Sequence, residues 1–161
     1  MRTAKFQISQ ALSGADGSFG LYISDSGFKT AMGARPQGAA IHPPPPFGTW
    51  LTKLVQSPEW YNRGSDFGLG RGMVYELQDI PGRSHIQIHP GNWMVPIRTT
   101  TDTEHYQTLG CLLPGAQVAN IVVPPPDGRT LRGVTASVTV VKALYADMGG
   151  NPFMLAIEGM V

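Results

Sequence analysis

Val134-Thr135-Ala136-Ser137-Val138-Thr139-Val140-Val141-Lys142-Ala143-Leu144-Tyr145-Ala146-Asp147-Met148 admits two readings, and the choice between them decides the fold class. Val134, Ala136, Val138 and Val140 alternate with polar residues, as on a half-buried strand. Val138, Val141, Leu144, Tyr145 and Met148 also recur at helical spacing. Ser137 offers an N-cap and Gly149-Gly150 offers a stop, so the stretch is expected to form a helix over about residues 137–148. The remaining chain is punctuated by turn residues and reads as strands.

Working outward, Phe6 and Ile8 alternate with polar neighbours, Gly14-Ala15-Asp16-Gly17 turns, and Phe19–Ile23 returns as the second arm of a hairpin. Phe28–Met32 is a third short strand. Pro43 to Pro46 is polyproline II in an ordered surface loop. Gly48–Val55, Met73–Leu77, Ser84–His89 and Phe153–Glu158 follow as strands, and Ala116–Val123 is a further apolar run. Residues 61–72 and 93–109 read as loops, and Pro114-Gly115 follows Leu112-Leu113. The expectation is a β-rich α+β fold: a compact, mostly antiparallel barrel or sandwich with one C-terminal helix and long Pro/Gly loops, in a single domain over 1–161.

Composition narrows the function classes. The chain has 161 residues, 42% hydrophobic and only 14% charged, with 20 Gly, 14 Pro and a net charge of +1. That charge leaves no electrostatic footprint for nucleic acid. No run approaches the roughly 20 apolar residues that span a bilayer, so no membrane insertion is expected. Met1–Ile8 lacks an apolar signal-peptide core, so synthesis in the bacterial cytoplasm without a signal peptide is expected. Gly68-x-Gly70-x-Gly72 lacks the Lys-Ser/Thr of a phosphate loop, and no cofactor is expected.

The single cysteine, Cys111, cannot form an internal disulfide. His85 and His89 stand four residues apart on one strand, about 13 Å, too far to share an ion, and paired zinc cysteines are missing, so no metal is expected. Along Ser84–His89, Ile86 and Ile88 are expected on the core face, with His85, Gln87 and His89 opposite. Pro90-Gly91-Asn92 ends the strand, so His89 sits where a loop can present it. An imidazole beside a thiol can take its proton, and Gly110 before Cys111 lets a substrate approach the backbone.

Two resemblances sharpen this. Pro81-Gly82-Arg83-Ser84-x-Ile86-x-Ile88-His89-x-Gly91-Asn92, followed by Leu109-Gly110-Cys111-Leu112-Leu113 and preceded by Gly48-Thr49-Trp50, resembles an uncharacterised family common in phages and prophages. That resemblance covers most of the chain but implies no settled activity. Ile88-His89 and Thr108-Leu109-Gly110-Cys111 also resemble the L,D-transpeptidases, cysteine enzymes that cross-link or trim peptidoglycan stem peptides. Leu144-Tyr145, Gly149-Gly150 and Pro152–Ile157 are similar to that family's closing helix and strand. The second resemblance implies Cys111 as nucleophile, His89 as base and Gly110 in the oxyanion hole. Asn92, Thr108 and His105 are the expected substrate-binding positions. Leu109 and Leu113 stand where that family has His and Arg, which puts the substrate preference in question.

The expected function is cysteine acyl transfer on peptidoglycan peptides, the protein reaching the wall in a virion, through a secretion apparatus or after holin opening. The alternative is a structural virion or baseplate-type subunit, partnered by other virion or secretion-apparatus subunits, with Trp50, Trp60 and Trp93 as interface anchors and an inert Cys111.

Overall fold

The computed structural model describes residues 1–159 and is built on one eight-stranded sheet. In chain order its strands are β1 (Arg2–Ile8), β2 (Ser18–Ser24), β3 (Lys29–Ala34), β4 (Gly48–Gln56), β5 (Met73–Leu77), β6 (Gln87–Ile88), β7 (Leu113–Gly115) and β10 (Phe153–Glu158). Their spatial order is β6-β5-β4-β10-β1-β2-β3-β7. Every pair is antiparallel except the central β1–β10, where Arg2 faces Phe153 and Phe6 faces Ile157. β8 (Val118–Val122) and β9 (Thr130–Val134) form a separate hairpin. The sheet curls until its edges meet: Ile88 in β6 makes a parallel bridge to Leu112, the residue before β7. The result is a nearly closed, barrel-like sheet, as the strand-rich sequence pattern requires.

The period-two pattern sets the core. Ala4, Phe6 and Ile8 of β1 and Phe153, Leu155 and Ile157 of β10 are buried on one face. They join Val74, Tyr75 and Leu77 of β5 in one apolar cluster. Helix α2 (Ser137–Met148) adds Val141, Leu144, Tyr145 and Met148 to the same cluster. Complete burial of each such side chain stabilises the fold by about 2 kcal/mol. The helical reading of this stretch therefore holds, because four large side chains at helical spacing reach one core.

Both ends of α2 are informative. Gly149 closes the helix in a left-handed conformation, φ 64°, its N–H donating to the Tyr145 carbonyl. At the start, the expected Ser137 cap is not formed. Ala136 occupies the N-cap position at φ 50° and offers no capping side chain. The Ser137 hydroxyl instead donates to the Pro114 carbonyl and accepts from the Gly91 N–H. Val138, expected on the apolar face, is 52% exposed, because the helix begins outside the core.

Other differences have local causes. Ser57-Pro58-Glu59 opens a short helix, α1 (Pro58–Asn62), with Ser57 accepting from the Trp60 N–H, where the sequence reading ended a strand. Pro114-Gly115 lies in β7. Proline is tolerated there because β7 is the last strand of the ladder. Thr130–Val134 pairs with β8, a strand obscured by the intervening Pro124-Pro125-Pro126-Asp127-Gly128. Trp60 and Trp93 are buried and Trp50 is half-buried, its indole N–H bonded to the Pro46 carbonyl.

Candidate functional site

The seam of the barrel brings the two sequence segments together. The His89 N–H donates to the Leu112 carbonyl (3.1 Å), and the Leu112 N–H donates to the Gln87 carbonyl (2.9 Å). Residues facing each other in a parallel ladder point to one side, so Ile88 and Leu112, both fully buried, enter the core together. Gln87, His89 and Cys111 belong to the other side. Cys111 stands beside Gln87 and one two-residue step from His89, a Cα separation of about 8 Å from strand spacing and rise.

The expected faces hold for Ile86 and Ile88, which are core residues, and for Gln87 and His89, which are not. Yet Gln87 and His89 are themselves 5% and 7% exposed. The regular strand is shorter than expected. His85 precedes it at φ 58°, in the left-handed region, and its ring turns outward to pair with Glu76 at 3.3 Å. Glu76 in turn accepts from the Gln87 side-chain amide at 3.1 Å.

Cys111 Sγ accepts from the Gln87 N–H at 3.3 Å and donates to the His85 carbonyl at 3.5 Å. No hydrogen bond joins it to His89. Burial pushes the thiol up to about 11, against partial relief from the Gln87 N–H and from Arg83. His89 lies against the Trp60 ring, centroids 5.1 Å apart. Its Nδ1 is 2.8 Å from the Pro90 carbonyl, which can only accept, so the proton sits on Nδ1 and Nε2 carries the lone pair. Among the described residues Nε2 makes no hydrogen bond, yet it is not a sealed orphan as Trp60 Nε1 is. Burial drives His89 down to about 4, so the ring is neutral at pH 7.

The turn carrying Cys111 is fixed by Thr108 and Gly110. Thr108 Oγ1 accepts from the Gly110 N–H at 3.2 Å and donates to the Cys111 carbonyl at 3.1 Å. The Gly110 amide, expected in an oxyanion hole, is therefore occupied. The Cys111 N–H has no partner among the described residues and is the free donor beside the thiol. Gly110 itself sits at φ 115° with the Arg83 guanidinium packed against it. Arg83 donates to the Pro44 and Leu109 carbonyls, tying the proline loop to the cysteine turn.

His89 and Cys111 both line one cleft of about 940 Å³. Its walls come from α1, residues 84–92, residues 105–111 and the first turn of α2. Of the expected substrate-binding residues, His105 is the open one, its side chain 45% exposed and 3.6 Å from Asp102. Thr108 is 2% exposed and spent on the turn. Asn92 binds the Val134 carbonyl through its side chain and Gln107 through its backbone, so it holds the loop to β9 although it lines the cleft.

Sequence reasoning missed α1, which supplies Trp60 under His89 and the exposed Glu59–Arg63 pair at the wall. The Ser-Pro-Glu opening was the available signal. Among the described residues no group of three or more His, Cys, Asp or Glu could hold a metal ion, and no helix is long and apolar enough to cross a membrane. Compared with models of known families, with curated proteins and with solved structures, the chain matches none.

Proposed function

We propose that this chain is a cysteine acyl-transfer enzyme, L,D-transpeptidase-like, acting on peptidoglycan stem peptides. The observation that carries the reading is the shared cleft, lined by both His89, a buried histidine with an unbonded Nε2, and Cys111, whose N–H has no partner among the described residues. The substrate class rests on the resemblance of Ile88-His89 and Thr108–Cys111. Such an enzyme would meet the wall as a virion component or as cargo of a secretion apparatus.

The resting pair is neutral, thiol and imidazole, because burial disfavours both ions. Proton transfer therefore accompanies attack instead of preceding it. As Sγ bonds to the substrate carbonyl carbon, the thiol proton passes to His89 Nε2 and the carbonyl oxygen gains the negative charge. The Cys111 N–H is the donor available to that oxygen. Collapse expels the amine, which takes the proton from His89, and leaves a thioester. Water or an acceptor amine then releases the acyl group. A side-chain movement that brings Sγ off its Gln87 and His85 partners is part of this path.

The test is release or exchange of D-amino acids from purified peptidoglycan. Wild-type protein should turn over, while Cys111→Ala and His89→Gln should each lose at least about a hundredfold, the usual scale for a positioned base. Turnover that survives in Cys111→Ala would sink the reading.

One observation favours a second reading, a structural subunit. Cys111 Sγ is hydrogen-bonded to two backbone groups across the seam, as a packed structural thiol would be. On that reading Cys111→Ala lowers stability by about 1 kcal/mol and changes no activity.

A further inference from the structure

The two backbone partners of the thiol have a third residue in common. Cys111 Sγ accepts from the Gln87 N–H at 3.3 Å and donates to the His85 carbonyl at 3.5 Å. The side chains of these same two residues meet at one oxygen of Glu76. Its Oε1 accepts from the Gln87 side-chain amide at 3.1 Å and lies 3.3 Å from His85 Nδ1. The β5–β6 register sets Glu76 opposite Gln87, so the carboxylate reaches both side chains from the neighbouring strand.

This bracket holds a strained backbone. His85 stands at φ 58°, a left-handed conformation that costs free energy in a residue with a Cβ and persists only where its surroundings hold it. Packing does not hold the ring, since the side chain is 77% exposed, and Glu76 is its one polar partner among the described residues. Without that contact the backbone is free to relax, taking with it the carbonyl that accepts from the thiol. Burial is the main reason the thiol stays protonated, and the Glu76 charge acts in the same sense.

We infer that Glu76 is a positioning residue for Cys111: by holding His85 and Gln87 in place it keeps Sγ latched to their backbone groups. The inference rests on the acyl-transfer reading only for what opening the latch achieves, because attack requires Sγ to leave both partners. Glu76 does not line the cleft, whereas His85 and Gln87 do. A ligand in the cleft therefore meets the latch through those two residues, and the carboxylate acts through them.

The experiment follows iodoacetamide labelling of Cys111 in the full chain at pH 7, with a urea unfolding curve for each variant. Glu76→Ala should label at least about tenfold faster than wild type, the scale set by the backbone strain released. Glu76→Gln keeps an acceptor oxygen at the same place and should stay within about threefold of wild type. In Glu76→Ala the rate should be flat in urea below the unfolding transition, as a local opening requires. Labelling through global unfolding would instead rise steeply with urea. His85→Ala removes the other half of the contact at an exposed position and should also speed labelling, which keeps the test decisive where Glu76→Ala fails to fold.

Labelling no faster in the alanine variants, or an acceleration that climbs with urea as steeply as unfolding does, would overturn the inference. So would Glu76→Gln labelling as fast as Glu76→Ala, since the charge and not the bracket would then be at work. Labelling needs no substrate, so the two readings fail separately. A latch that opens as expected in a protein without turnover would refute acyl transfer alone. Unchanged labelling in an active enzyme would refute the latch alone.

Discussion

At Gly110 a methyl group has no place to go. A Cβ there would collide with the Arg83 guanidinium and lie 2.8 Å from the Pro43 carbonyl, at a backbone φ of 115° that side chains rarely adopt. Gly110→Ala should therefore destabilise the protein by about 1–3 kcal/mol in chemical denaturation, and displace Cys111 with it. The thiol gives a second residue-scale expectation. Because burial raises it from 9.0 to about 11, iodoacetamide should label native protein slowly at pH 7, with the rate rising towards pH 11. A labelling midpoint at or below pH 9 would show that the thiol is not buried in solution as described.

At the scale of elements, one tyrosine joins the helix to the seam. The Tyr145 hydroxyl donates to the Ile88 carbonyl and accepts from the Tyr75 N–H at 3.1 Å, and its ring packs edge-on against Tyr75 and Phe67. Tyr145→Phe keeps the ring and leaves both backbone groups buried without that partner. It should cost about 1–3 kcal/mol, read as a lowered midpoint of thermal unfolding. Since Ile88 precedes His89, activity should fall as well. A variant as stable as wild type would mean that the seam does not depend on α2. The short α1 has the opposite character, since it contributes only Trp60 to the core and takes its position from the Ser57 cap.

For the whole molecule, acid sensitivity follows from the one histidine buried in neutral form. His89 goes from an ordinary 6.5 to about 4 on folding, so between those values the unfolded chain binds a proton that the folded chain does not. The sign is fixed: this contribution is fully present above pH 6.5 and is lost as pH falls towards 4, on the order of 3 kcal/mol. Denaturant titrations at pH 7 and pH 4 should show the loss in wild type and a smaller one in a folded His89→Gln protein. Equal losses in both would place the acid sensitivity elsewhere.

Local chemistry made much of this legible. Alternation in Arg2–Ile8 and Phe153–Glu158, and helical spacing over Val141–Met148, specify strand and helix because each pattern buries one face whatever its partners are. Gly149 could be read as a helix stop for a similarly local reason. The pairing of distant segments is not local. The parallel β1–β10 contact, the Ile88–Leu112 seam and the escape of Ser137 from capping to Pro114 all depend on which edges meet when the sheet curls. That closure also set the site's chemistry. It buried His89 and Cys111, spent Thr108 and the Gly110 amide on a turn, and opened the uncapped start of α2 beside them. The sequence by itself determined the residues available for chemistry. Tertiary structure decided which donors stayed free, because hydrogen-bond partners come from segments far apart in the chain.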